Sequence, residues 1–243
     1  MTFADLHQPG NPLVLPNAWD YGSAAFLAAH GYPAVGTTSL GVSAVHGKPD
    51  AAAATKAETL DLVDLVKDLP VHLTVDIENG FDDDPAAIAD LVDLLAGMSV
   101  AGVNLEDGRA DGTLRPIGEQ TRILEAVTGR GVFVNARTDA LWHGTGDDPF
   151  ERVRAYTATG ADGIFVPGTN DLGTISKLVE STPLPLNVLY GPPVEDLAGV
   201  GVARISTGSL LYRAALQGAL AVLQKDAALP TYAEIVRLLP EPR

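Results

Sequence analysis

Short apolar and β-branched runs alternate along the chain with longer stretches whose apolar positions recur every three to four residues. Gly, Pro, Asp and Asn stand where the character changes. The runs predict eight strands: Leu13 to Asn17, Ala34 to Thr38, His72 to Glu78, Gly102 to Glu106, Val132 to Arg137, Gly163 to Val166, Leu186 to Leu189 and Arg204 to Ser206. Most read as short parallel strands buried on both faces. Between and after them, helices are predicted near residues 20–30, 56–68, 85–97, 118–128, 149–159, 171–180, 194–199 and 209–225. In the second of these, Leu60, Val63, Leu65 and Val66 alternate with Asp61, Asp64 and Lys67, giving one buried stripe and one solvated face. Asp84-Pro85 and Asp148-Pro149 are cap and first-turn pairs that open two helices. Leu229-Pro230 then breaks the chain before a short helix predicted over Tyr232 to Leu239.

Eight βα units in about 225 residues fit a closed (β/α)8 TIM barrel, an α/β fold, forming one domain over residues 1–243 with a short C-terminal helical extension. The rival, an open doubly wound sheet, lacks its dinucleotide fingerprint, because no strand runs into Gly-x-Gly-x-x-Gly. A phosphate-binding P-loop is also missing: the Gly41 to Gly47 spacing is one residue too long, and Pro49 stands where Ser or Thr is required.

Composition narrows the function. Apolar residues make up 46% and charged residues 19%, with no apolar run long enough for a membrane span. Sixteen basic against 31 acidic residues give a net charge of −15, which repels nucleic acid and anionic lipid. The absence of cysteine removes disulfides, thiolate metal sites and a cysteine nucleophile. Met1 to Gly10 has neither a basic start nor an apolar stretch, so a cytoplasmic location is expected.

In a barrel the chemistry belongs at the C-terminal strand ends, and polar residues collect there. Asp76 and Glu78, two apart on a strand, are expected to face the same way, and Glu106 ends the neighbouring strand about 4.8 Å away. Two carboxylates about 5 Å apart repel by roughly 3 kcal/mol at an effective dielectric of 20, so the trio calls for a cation. Oxygen ligands without His or Cys favour Mg²⁺, with Mn²⁺ as the alternative. Arg137 closes an apolar run and needs an anionic partner, either one of the protein's own acids, such as Asp139 or Glu106, or a substrate carboxylate. Thr37 to Gly41 reads as a hydroxyl-rich turn whose N–H groups suit a carboxylate or oxyanion. Asp50 reads as a helix cap or a site residue. His46, His72 and His143 have no zinc spacing and receive no role, and Trp19 and Trp142 read as packing residues.

The phrases VDIENGFDDDP, GVNLEDG, NARTDA, GADGIFVPG, PLNVL and GVARISTGS, in this order and over nearly the whole chain, resemble the isocitrate lyase and phosphoenolpyruvate mutase superfamily, most closely its phosphonomutase-like branch. The resemblance implies a (β/α)8 barrel, a homo-oligomer (dimer or tetramer, often with an exchanged C-terminal helix) and Mg²⁺-dependent chemistry on small 2-oxo or 2-hydroxy acids. Position by position, it implies that Asp76, Glu78 and Glu106 hold the metal, largely through water. It makes Asp50 a nucleophile, base or metal-shell acid, and Thr38, Ser39 and Leu40 the carboxylate cradle. Arg137 becomes the anion-binding arginine and Asn187 a polar substrate contact on the seventh strand.

Two departures stand out. Isocitrate-cleaving members carry Lys-Lys-Cys-Gly-His after the fourth strand, where this chain has Gly108 to Arg115. The lysine of the mutase members is also missing there, and Arg109 and Arg115 are the only cations of the segment. The expected function is a Mg²⁺-dependent lyase that cleaves a carbon–carbon bond of a small 2-oxo or 2-hydroxy acid through an enolate. In this reading Asp50 and Arg137 are the catalytic residues, and Gly108 to Arg115 closes over the site. Without a thiol, the proton comes from Asp50, a metal-bound water or a hydroxyl such as that of Thr113. Carbon–phosphorus chemistry, by a phosphonomutase or phosphonopyruvate hydrolase, is one alternative, and a non-catalytic binder of small carboxylates is the other.

Overall fold

The computed structural model describes residues 1–224, so the helix predicted over Tyr232 to Leu239 lies outside the described residues. Strands β1 (Leu13–Leu15), β2 (Asn17–Ala18), β3 (Ala34–Thr37), β4 (His72–Asp76), β5 (Gly102–Glu106), β6 (Phe133–Arg137), β7 (Gly163–Phe165), β8 (Leu186–Leu189) and β9 (Arg204–Ser206) form one parallel sheet in the order β1-β9-β8-β7-β6-β5-β4-β3-β2. Only Pro16 separates β1 from β2, so the two ends of the sheet are the two halves of one predicted strand. The sheet closes on itself as a (β/α)8 barrel.

The break at Pro16 has a simple cause: proline has no N–H to give to a ladder. β1 pairs with β9, and β2 pairs with β3. Asn17 joins the seam. Its Nδ2 donates to the Thr37 carbonyl (2.7 Å), its Oδ1 accepts from the Gly208 N–H (2.8 Å), and its own N–H donates to Thr207 Oγ1 (2.9 Å). A Cβ at position 36 would lie 2.6 Å from Asn17 Nδ2, which is why Gly36 stands opposite.

The helices are α1 (Tyr21–Ala29), α2 (Ser39–Val45), α3 (Lys56–Val66), α4 (Pro85–Gly97), α5 (Ile117–Val127), α6 (Ala140–His143), α7 (Pro149–Thr157), α8 (Leu172–Glu180), α9 (Val194–Gly199) and α10 (Leu210–Leu223). The caps fall where the pattern placed them. Asp84 accepts from the Ala86 N–H and Asp148 from the Phe150 N–H. Helices α2 and α6 are additions, and the turn predicted at Thr37 to Gly41 is the start of α2, with Thr38 at its N-cap. Both are too short for a hydrophobic period, and both follow a strand end.

Outward strand residues Val35, Val75, Val103, Val134, Ile164, Val188 and Ile205 pack against Val63, Ile88, Val92, Leu124, Val153, Ile175 and Leu197 in one buried shell. The barrel interior is polar, with Thr74, Asn104, Asn135, Asn187 and Arg204 all buried. No helix of the described residues is long and apolar enough to cross a membrane.

The N-terminal segment contributes to a second, smaller cluster with β1, β3 and β6. Phe3 meets Phe133 edge-on at 5.6 Å, and the His7 ring stacks on Phe133 at 4.4 Å. Burial, helped by the charge of Arg204, pulls the His7 imidazole down from 6.5 to about 4. Between these values the unfolded chain takes a proton that the folded chain refuses, so stability is lost as pH falls from 6.5 toward 4. The unfolding free energy of the wild type relative to His7→Gln should therefore fall by about 3 kcal/mol between pH 7 and pH 4, measured by denaturant titration. A pH-independent difference would refute this account of His7.

Candidate active site

A cavity of about 410 Å³ opens at the C-terminal strand ends, and Thr38, Ser39, Leu40, Asp50, Asp76, Glu106 and Arg137 line it together. Arg137 is its organising cation. Its Nε and Nη2 donate to the two oxygens of Asp139 (2.6 and 3.0 Å), and its Nη1 pairs with Glu106 Oε2 at 2.7 Å. The ring of Phe165 lies 5.4 Å from the guanidinium carbon. Of the two partners left open by the sequence, Arg137 meets the protein's own acids.

Asp139 is fixed from behind. Its N–H donates to Asp107 Oδ1 (2.8 Å), while Asp107 Oδ2 accepts from Tyr156 Oη (2.6 Å) and Arg152 Nη1 (3.0 Å). The sequence reading assigned nothing to Asp107, Arg152 or Tyr156. The available signal is the Glu106-Asp107 pair itself, since strand alternation sends neighbouring acids to opposite faces, one into the barrel and one toward α7.

Burial pushes the carboxyls of Asp76 and Glu106 above the usual range. Arg137 opposes the shift in both, while Asp50 adds to it at Asp76, and Asp139, Asp76 and Glu78 add to it at Glu106. The Asp50 carboxylate also faces the cavity and makes no hydrogen bond among the described residues. Negative charge therefore exceeds positive charge around this space. An oxygen-only set with this imbalance fits a hard divalent cation held by one or two carboxylates and water.

Glu78 departs from expectation. Strand β4 ends at Asp76, and Glu78 adopts a left-handed backbone (φ +49°), so alternation no longer places the two acids on one face. The Glu78 carboxylate instead accepts from the Ala53 N–H (2.9 Å) and Thr55 Oγ1 (2.7 Å), holding the loop that carries Asp50. Ala51 and Ala53 of that loop are also left-handed, both at φ +54°. Among the described residues, no three acidic or histidine side chains are grouped as direct ligands of one ion. The predicted convergence of three carboxylates is thus not present; Asp76 and Glu106 reach the cavity and Glu78 does not.

Asn187 is also placed differently. It is buried in the barrel interior, where its Nδ2 donates to Ser206 Oγ (3.0 Å), and Ser206 rather than Asn187 lines the cavity. The arginines of the Gly108 to Arg115 segment do not face the cavity either. Arg109 pairs with Glu119, while buried Arg115 donates to Gln120 and Asp83 and to the carbonyls of Asn79 and Asp82. Arg115 anchors the segment. In contrast, Trp142 and His143 of α6, which received no site role from the sequence, line the cavity. A Cβ at position 108 would lie 2.7 Å from Asp139 Oδ2 and 3.2 Å from His143 Nε2, so Gly108 lets the segment leave the barrel beside this pair.

Replacing Arg137 leaves Glu106 and Asp139 buried without their cation. Arg137→Ala should lower the unfolding free energy by about 3 to 5 kcal/mol in metal-free buffer, measured by urea denaturation. A loss below about 1 kcal/mol would mean that other contacts hold the rim.

The sequence model of the family described as Phosphoenolpyruvate phosphomutase matches residues 3–226. The chain is 43% identical over 226 residues to the uncharacterized protein Rv1998c of Mycobacterium tuberculosis, covering 90% of this chain and 86% of that one. It is 31% identical over 189 residues to an oxaloacetate decarboxylase of a Bradyrhizobium strain, covering 72% of this chain and 62% of the relative. Among solved structures, a phosphonopyruvate hydrolase in complex with oxalate and Mg²⁺ superimposes with a TM-score of 0.84 at 23% identity, over 98% of this chain and 95% of that one, which speaks for the shared fold. By sequence and by architecture, the chain belongs to the phosphoenolpyruvate phosphomutase family, within the isocitrate lyase and phosphoenolpyruvate mutase superfamily.

Proposed function

We propose that the protein is a Mg²⁺-dependent lyase, with Mn²⁺ as a substitute, that cleaves a carbon–carbon bond in a small 2-oxo or 2-hydroxy acid through an enolate. One observation carries the reading: Asp50, Asp76, Glu106 and Asp139 share a cavity with two arginines, Arg137 and Arg213, so that acids outnumber cations around it. The named activities of similar proteins, decarboxylation of oxaloacetate and a hydrolase bound to oxalate and Mg²⁺, support the class of chemistry.

Asp76 and Glu106 would hold the cation, with Glu78 acting through water from its place behind the Asp50 loop. Bound there, such an ion would supply Lewis-acid stabilisation of developing negative charge on the substrate. Ser39 and Leu40 open α2, where the Ser39 N–H donates to Asp76, and with Thr38 they form the wall that cradles the substrate carboxylate. Arg137 neutralises the acidic end of the substrate and is held in place by Asp139. Asn187 orients Ser206 at the cavity wall. Asp50, whose carboxylate makes no hydrogen bond among the described residues, takes the hydroxyl proton of a 2-hydroxy acid as the adjacent carbon–carbon bond breaks and its electron pair passes into the departing enolate, which is then protonated on carbon. The Gly108 to Arg115 segment limits water.

Oxalate, an enolate mimic, provides the test. Calorimetry should show oxalate binding only with Mg²⁺ present, and Asp76→Ala should weaken it at least 100-fold. Asp50→Ala should leave oxalate affinity within about threefold while turnover of 2-oxo acids disappears. Metal-independent oxalate binding would sink the proposal, and turnover of phosphonopyruvate alone would move the chemistry to the carbon–phosphorus bond.

We also propose that the protein is a homo-oligomer, a dimer or tetramer. Helix α10 buries none of its residues, and Leu216, Leu220 and Leu223 are 54%, 52% and 80% exposed at helical spacing. A second copy, meeting this self-complementary apolar row, would cover it. Leu220→Glu should convert the assembly to a smaller species in sedimentation, and a wild-type monomer would overturn the assignment.

A further inference from the structure

Beneath the cavity lies a cation with no counter-ion. Arg204, at the start of β9, is 0% exposed and makes no ion pair among the described residues. Its Nε donates to Ser206 Oγ (3.0 Å) and its Nη2 to Asn104 Oδ1 (3.2 Å), while Nη1 has no partner. Asn104 and Ser206 both line the cavity, so the guanidinium stands one side chain below it. On its other side it meets the Phe3 ring, 6.0 Å from its carbon.

An unpaired charge in a dry interior is expensive, and a neutral donor such as Gln would serve Asn104 and Ser206 without that cost. The charge itself therefore needs a reason. Fixed in a low-dielectric layer, its field is poorly screened and acts on whatever occupies the space above. Burial lowers the Arg204 pKa to about 9, against an opposing pull from Asp76, so the group remains charged at neutral pH.

We propose that Arg204 is an electrostatic positioning residue that favours a dianionic ligand, a small dicarboxylate or the enolate of a 2-oxo acid, in the cavity above it. The proposal rests on the metal-dependent carboxylate reading and adds to it the charge class of the ligand. Arg204 does not touch the ligand. It raises the affinity of the site for negative charge through Asn104 and Ser206, so its effect scales with ligand charge, as a preorganised field requires.

The experiment compares the full chain with Arg204→Gln and Arg204→Lys at saturating Mg²⁺, using calorimetry with oxalate (a dianion) and oxamate (a monoanion) and thermal denaturation of each protein. Arg204→Gln should weaken oxalate about tenfold and oxamate about threefold, with an unchanged or raised Tm. Arg204→Lys, which keeps the charge, should bind oxalate within about threefold of wild type. Equal losses for the two ligands, or a Gln variant that no longer folds, would make Arg204 a structural strut and overturn the proposal. Wild-type affinity in Arg204→Gln would overturn it too. If the wild type itself binds no oxalate with Mg²⁺, the metal-dependent reading fails and this inference fails with it, an outcome separate from failure in the variants alone.

Discussion

The rim of this barrel depends on one guanidinium shared between two buried carboxylates. Arg137 reaches Asp139 through two parallel hydrogen bonds and Glu106 through a third nitrogen, which uses the planar fork in a way a lysine cannot. Removing two acids from water is costly unless a cation stands between them. The arrangement extends outward: Asp107 holds the Asp139 N–H, and Arg152 and Tyr156 hold Asp107. The result ties β5, β6 and α7 into one unit, with the orientation of the site cation set from outside the barrel.

That unit leaves charge over. Asp76 and Asp50 face the same space without a cation of their own, and burial already raises Asp76. The excess of acids thus falls at a point where strand ends, the α2 N-terminus and a buried arginine meet. In the proposed function, a divalent ion there would relieve the repulsion among the acids and reverse the local sign, so that an anionic substrate would gain rather than lose by entering. This order, acids first, then cation, then anion, would reconcile a chain of net charge −15 with the acidic ligand proposed for it.

The barrel was legible because its signals are local and repeated: apolar strands, helical stripes and Asp-Pro caps each recur at the expected place. The cavity residues Thr38 to Leu40, Asp76, Glu106 and Arg137 were legible because strand ends of such a fold meet at one face, whereas Asp50, on the loop before α3, was pointed to by the family resemblance alone. Glu78 was not, since alternation holds only while the backbone is extended, and a left-handed residue ends it two positions after Asp76. Asn187 was misplaced and Arg204 missed for another reason. Alternation tells inside from outside but not depth along the barrel axis, so a polar side chain below the floor reads the same as one in the wall. Trp142 and His143 sit on a four-residue helix, too short to leave a periodic trace.

The polar part of the interior bears on the site as well. A barrel filled throughout with branched apolar side chains would be easier to stabilise, yet here Asn104, Asn135, Asn187 and Arg204 occupy the space above the apolar layer of Leu13, Leu15, Ala34 and Phe133 and hydrogen-bond within one network. Asn135 donates to Asn104, which also accepts from Arg204, and Ser206 links Arg204 to Asn187. Such a network holds each dipole in one orientation, whereas apolar packing would provide no dipoles to orient. The same side chains that keep the interior from being a dry core also fix the floor of the cavity, so the stability given up inside the barrel is the cost of a preorganised polar surface beneath the ligand.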